Sequence, residues 1–317
     1  MTNVKTVLAG VDPDDRDHLA IERAHQLAAA SGARVYLLLS AYDQSLTGGV
    51  LSDRESLESA RQDYLAKLGG WLEDRARPLR EDGIAVKTEV SWHSPRYDLL
   101  LAKASELHAD VIVRAARRHS TLDKLLFAAS DWELVRRAPQ PVWIVKKKAD
   151  FRASGARVLA AVDPVHPGER QANLDRKLVA AATRIVKLFG GAAHVFHAWN
   201  PAATLSPVAG AGHHAAVPAL TLGRELIEEL REQRQQQLDK LVSEFDLPPE
   251  NGHLVAGDVR SAVDELAGEV GIDVVVAGAV ARGRLERLLI GSTAERLLDD
   301  VDCDVVVIKP DTFPRTL

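Results

Sequence analysis

DVIVRAARRHSTLDKLLFAASDWELV, residues Asp110–Val135, aligns without a gap against DVVVAGAVARGRLERLLIGSTAERLL, residues Asp273–Leu298, at a constant offset of 163 positions. The same offset carries PVWIVK at Pro141–Lys146 onto DVVVIK at Asp304–Lys309, and KTVLAGVDP at Lys5–Pro13 returns as ARVLAAVDP at Ala156–Pro164. With 317 residues and about 150 residues to a typical domain, the chain reads as two copies of one unit. Short β-branched runs alternate with longer amphipathic stretches, the pattern of βαβ units feeding a parallel sheet. Strands are expected at 6–11, 34–39, 86–90, 111–114 and 142–145, with helices at 17–31, 52–81, 94–107 and 131–137. The second copy repeats the order, with strands at 157–162, 193–198, 252–255, 273–277 and 305–308. The expected fold is α/β: two tandem repeats of a five-stranded, mainly parallel open sheet with helices on both faces, Rossmann-like, over 1–148 and 155–317. The polar, aperiodic stretch Lys146–Arg157 reads as a short linker.

Composition narrows the function classes. The one cysteine, Cys303, excludes an internal disulfide framework and a multi-cysteine metal centre, and it reads as a small buried residue. The opening MTNVKTVLAGVD lacks a basic leader region and no run reaches the eighteen or so apolar residues of a membrane span, so a cytoplasmic protein is expected. A net charge of −5 opposes long-range attraction to nucleic acid, and none is expected as a partner.

The chemistry concentrates in the second copy. Gly278 ends an apolar strand, and Gly291 with Ser292 opens the next helix. A backbone leaving a strand at glycine can approach a phosphate closely, and the free N–H groups of a helix start favour an anion. This segment resembles the signature of the universal stress protein family, G-x-x-G, nine residues, then G-[S/T], and the likeness covers both halves in the manner of the tandem two-domain type. The resemblance implies an adenine nucleotide alpha hydrolase-like fold that binds ATP, with Mg accompanying it. It implies phosphate contacts at Gly278, Gly291 and Ser292 and a ribose or adenine contact at Asp163. Ala281 stands where the family has its second glycine. If that position needs a left-handed backbone, alanine costs about 1 kcal/mol or slightly more, about tenfold in affinity. In the first copy Ala115, Arg118, Ala128 and Ala129 occupy the four motif positions, so nucleotide is expected in the second copy alone.

Each of these residues also has a plainer reading. Asp163, like Asp12, can cap the turn that follows its strand. Ser292 with Glu295, and Ser130 with Glu133, are spaced as capping boxes, and Asp131 adds a carboxylate that repels phosphate. His194 and His197 are three apart on a strand and point to opposite faces, so no metal site is expected. His213 and His214 fall in a loop of small residues. The five tryptophans suit packing, and the apolar residues of 52–81 and 220–245 suit packing on the sheet better than an apolar ligand pocket. There is no nucleophile elbow, no P-loop and no close carboxylate pair, so catalysis is not expected. Two functions stay open: a nucleotide-responsive stress protein with possible protein partners, and a scaffold or small-molecule and lipid binder with decayed nucleotide sites. The family's single-domain members pair through their last strands, so the resemblance implies that VWIVK faces VVVIK in an internal pseudo-dimer, with a homodimer as an open further step.

Overall fold

Strands made of Val, Ile, Leu and Ala on both faces are stable only inside a covered sheet, and the repeated segments supply ten of them. The computed structural model describes residues 4–15, 17–47, 54–118, 125–126, 129–165, 169–200, 216–257, 259–279 and 301–311. The first half contributes β1 (Thr6–Val11), β2 (Arg34–Ala41), β3 (Val86–Trp92), β4 (Val111–Ala115) and β7 (Val142–Val145). The second contributes β8 (Ala156–Ala161), β9 (Gly191–Trp199), β10 (Gly252–Ala256), β11 (Val274–Gly278) and β12 (Asp304–Ile308). They form one ten-stranded sheet in the order β10-β9-β8-β11-β12-β7-β4-β1-β2-β3. The β12–β7 pair at its middle is antiparallel, and the other neighbours run parallel. Each half is thus a five-stranded parallel open sheet, as expected. Residues 117–118 and 125–126, β5 and β6, make a small antiparallel ribbon that periodicity did not indicate.

Helices cover both faces. On one lie α1 (Leu19–Ser31), α2 (Arg54–Glu81), α5 (Phe151–Ser154), α6 (Glu169–Phe189) and α7 (Ala216–Glu244), on the other α3 (Arg96–Glu106), α4 (Ala129–Arg137) and α8 (Val259–Val270). Leu72, Leu79, Leu238 and Leu241 of α2 and α7 are buried in the shared core, and Leu65, Leu68 and Trp71 pack half-buried against it. These side chains therefore serve the sheet. Gly32 and Gly190 end α1 and α6 in the left-handed conformation, φ 73° and 80°, each donating its N–H back to the helix.

The halves are joined through β7 and β12, where Val306 faces Trp143 and Val305 faces Ile144. VWIVK thus faces VVVIK inside one chain, which removes two strand edges from solvent. Two lysines cross the seam. Lys146 Nζ donates to Val301 O and Lys309 Nζ to Arg136 O at 2.7 Å. Beneath the seam Asp304 accepts from Trp143 Nε1 at 2.9 Å and from the Lys146 N–H at 2.9 Å, and pairs with Arg23 at 3.2 Å. Burial pushes Asp304 up and Arg23 down, and each opposes the other's shift through its charge.

The stretch expected as a linker is instead part of the core. Phe151 is fully buried, 3.7 Å below the Arg23 guanidinium and 5.7 Å from the Phe189 ring. Gln26 donates to Ala149 O at 2.8 Å, and Asp150 caps the short α5 at the Arg152 N–H. A single apolar residue in a polar run has no period, so sequence pattern does not register it. No helix of the described residues is long and apolar enough to cross a membrane.

Candidate functional site at the carboxyl ends of the strands

In each half the first strand has neighbours on both sides whose connecting helices leave on opposite faces, which opens a crevice at the carboxyl ends of the strands. The two crevices lie between β1 and β4 and between β8 and β11. Asp12 stands at the mouth of the first, Asp163 at the mouth of the second.

The first crevice is filled from within. Arg114, 3% exposed on β4, donates to Gly10 O at 2.9 Å and lies 3.3 Å from Asp12 Oδ2 and 3.2 Å from Asp131 Oδ1 of α4. Arg96 adds a 2.7 Å pair to Asp12. Burial alone would lower the Arg114 guanidinium, but Asp131 and Asp12 outweigh it and hold the group above its ordinary value. The space left between Gly10, Ser40, Arg96 and Arg114 is about 10 Å³, room for about one water molecule. The expected turn cap is present, with the Asp14 N–H on Asp12 Oδ1 at 3.2 Å. Asp12 nevertheless has a second role as an ion-pair partner, which the sequence reading did not assign. Asp131 does not stand free to repel an anion, because it faces Arg114. The signal for this cluster was visible as an arginine inside the apolar strand DVIVRA.

The second crevice is built differently. Ala277 takes the place of Arg114, and Gly278 that of Ala115. Asp163 is 43% exposed in its side chain, against 5% for Asp12. Its N–H donates to Asp175 Oδ1 at 3.1 Å, and its carboxylate has His197 Nδ1 at 4.0 Å. Nδ1 of His197 lies 3.0 Å from Val162 O, while Nε2 is buried with no hydrogen-bond partner among the described residues. Burial pushes His197 below its usual range, against the pull of the Val162 carbonyl and Asp163, so the ring is neutral at pH 7. With a neutral ring beside it, Asp163 has no cation partner among the described residues and is turned to solvent. Its carboxylate can accept from ligand hydroxyl or amine groups.

Gly278 has a structural duty of its own. A β-carbon there would stand 2.7 Å from Leu174 Cδ2 and 3.2 Å from Leu174 Cγ, so α6 rests on the bare backbone. Close helix approach alone therefore accounts for this glycine. Ala281, Gly291 and Ser292 lie outside the described residues, as do His213 and His214. The structure brings Asp163 and Gly278 to the ends of strands on either side of the crevice.

On β9 the two histidines part as expected. His197 shares the face of Ala193 and Val195, while His194 shares that of Phe196 and meets His253 of β10, Nδ1 to Nε2 at 3.0 Å. Burial lowers both members of this pair. Cys303 is buried, and its thiol is pushed up to about 12 by that burial.

A model of the universal stress protein family matches the chain twice, over residues 3–146 and 156–309. The chain belongs to the universal stress protein family. As a tandem member it is 25% identical over 315 residues to universal stress protein E of Escherichia coli, covering 99% of this chain and 96% of that one. It is 26% identical to universal stress protein E of Photorhabdus laumondii, over 99% and 97%. Among solved structures, a functionally unknown protein from Pseudomonas aeruginosa superposes with a TM-score of 0.74 at 24% identity, covering 98% of this chain and 94% of that one. A universal stress protein from Archaeoglobus fulgidus gives 0.63 at 17% identity, covering 96% and 98%. These likenesses establish the universal stress protein fold, with its mostly parallel sheet, in both halves.

Proposed function

We propose that this tandem universal stress protein binds an adenine nucleotide, ATP with Mg, in its second half alone, and acts as a non-catalytic stress-response protein. The carrying observation is the contrast between the two aspartates. Asp12 is consumed by Arg114 and Arg96, whereas Asp163 is half-exposed beside a neutral histidine. A ribose hydroxyl is a suitable donor to such a carboxylate. Gly278 supplies the strand end next to it, and Ala281, Gly291 and Ser292 complete the family's phosphate motif in sequence. ATP serves here as a ligand that shifts the protein between partner-binding states. Phosphoryl transfer requires a positioned water and a charge clamp, and the described residues at the crevice offer a carboxylate and a neutral ring. A cytoplasmic location and independence of nucleic acid accord with the acidic net charge. Calorimetric titration of the intact chain with Mg-ATP is the test. One site is expected, lost in Asp163→Ala and kept in Asp12→Asn; absence of binding to folded protein at millimolar nucleotide defeats the proposal.

The contact of Leu174 with the bare backbone of Gly278 favours a second reading. If the glycine is retained for packing, the chain is a scaffold, or a carrier of an apolar small molecule, with decayed nucleotide sites. Lipid extraction and mass spectrometry of the purified protein separate the two, since a carrier brings a bound apolar molecule and a nucleotide sensor does not.

A further inference from the structure

We propose that the groove between the two halves, lined by α6 and by the segments entering β4 and leaving β12, binds a small organic phosphate through Arg184, apart from the nucleotide crevice. The groove encloses about 870 Å³, within the range of small-molecule sites. Its floor is Ala180 and Ala181, and its walls include His108, Gln140, Arg184 and Lys309.

The charges of the lining select the ligand. Arg176 is paired with Glu244, and Lys177 with Asp311. The Asp110 carboxylate accepts the N–H groups of Lys5 and Thr6 at 2.8 and 2.9 Å. Lys309 is occupied with Arg136 O, and burial lowers its ammonium to about 7, so it carries only part of a charge at neutral pH. Arg184 has no carboxylate partner among the described residues, and a guanidinium presents a fork of donors that matches a phosphate. Gln140 provides the second fixed point. Its buried Oε1 has no hydrogen-bond partner among the described residues, and a small turn of the half-exposed side chain lets it accept from a ligand hydroxyl or amine. Between these two groups the alanine floor leaves room for a compact body. A phosphate on a hydroxylated carbon skeleton meets all three features.

The pseudo-twofold partner of this groove, a smaller space lined by Arg23, Gln26 and Asp150, shows its polar groups matched internally. Aligned from the helix-ending glycines Gly32 and Gly190, Gln26 stands where α6 has Arg184, and Arg23 where it has Ala181. There Gln26 is bonded to Arg23 and Ala149 O and Arg23 to Asp304, and the remaining space is about 480 Å³. The equivalent positions on α6 carry a shorter floor and a guanidinium with no carboxylate partner among the described residues. The polar groups that are matched internally on one side of the molecule are left for a ligand on the other.

The test is calorimetric titration of the intact chain with ribose 5-phosphate, with ribose and inorganic phosphate as references. Ribose 5-phosphate is expected to bind and ribose to give no signal. Arg184→Gln is expected to weaken binding by about tenfold or more, the scale of a charged hydrogen-bonded contact. Arg184→Lys should recover part of the loss. Gln140→Leu should weaken ribose 5-phosphate but leave inorganic phosphate unchanged, and Asp163→Asn should leave both unchanged. That last variant separates failure here from failure of the nucleotide proposal. Both groove residues are partly exposed, so the variants fold, and an unchanged thermal midpoint verifies this. The proposal is overturned by silence at about 10 mM ribose 5-phosphate or by equal binding to the parent and Arg184→Gln. It is also overturned by inorganic phosphate binding as tightly as ribose 5-phosphate, or by loss of ribose 5-phosphate binding in Asp163→Asn.

Discussion

At the carboxyl end of β4 the first half places Arg114, and at the same point of β11 the second half places Ala277. The backbone frame is repeated, yet one crevice holds a guanidinium between two carboxylates and the other leaves its aspartate turned to solvent. In the first half the protein itself supplies the charges that a ligand would bring. Buried ion clusters add little net stability compared with apolar packing, but breaking one exposes the full desolvation penalty of the groups left behind. The first crevice is therefore hard to reopen by a single change, and among the described residues the second contains no such cluster.

The largest expected effect comes from removing the filler. Arg114→Ala leaves Asp131 buried without this partner and deprives Asp12 of one of its ion pairs, which should destabilise the protein by about 3 kcal/mol or more in chemical denaturation. A change below about 1 kcal/mol would mean that water solvates this cluster and that the crevice is not dry. Next comes Gly278→Ala, which drives a methyl group into Leu174 at 2.7 Å and should cost about 1–3 kcal/mol. Combining it with Leu174→Ala should cost less than the sum of the two single changes. If Gly278→Ala leaves the denaturation midpoint in place, α6 does not depend on the bare backbone, and the packing account of this glycine fails.

The lysines that cross the seam permit a pH test of the same asymmetry. Lys309 has a folded value lowered to about 7 by burial, below its ordinary value of 10.5. Between these values the unfolded chain holds the proton and the folded one does not, so the group's contribution to stability falls as pH drops from about 10 to 7 and is level below that. The slope is at most about 1.4 kcal/mol per pH unit. Lys309→Met removes it, so the variant's stability relative to the parent should rise as pH falls through this window; a pH-independent difference would count against a buried neutral lysine. The smallest effect on stability is expected from Asp163→Asn, within about 0.5 kcal/mol because the side chain is half-exposed. Its effect on Mg-ATP affinity should be about tenfold, whereas Asp12→Asn should lower stability without altering nucleotide affinity.

The fold was legible because parallel strands covered on both faces must be apolar throughout. The runs at 111–114, 142–145 and 305–308 match β4, β7 and β12 to within a residue. β2 and β9 extend beyond their apolar cores, to Ala41 and Trp199, because backbone pairing continues where side-chain pattern has ended. The site was less legible. Asp163 was identified from its place after a strand, but that His197 turns Nδ1 to Val162 O beside it follows only once β9 lies beside β8. Phe151 and Gln26 had no local signal, since their partners lie 38 and 123 residues away, at Phe189 and Ala149.

Repetition, apolar periodicity and the spacing of glycines were enough to specify two α/β units, the order of their strands along the chain and the motif positions that differ between them. Those properties are local, being set by side-chain size and hydrophobicity at neighbouring positions. Which aspartate is locked and which is exposed, what a side chain at Gly278 would meet on α6, and how Arg23, Asp304 and Phe151 seal the seam were decided by the folded chain. Burial, charge pairing and close contact depend on groups far apart in sequence, and they acquire their magnitudes only when the sheet brings those groups within a few ångströms.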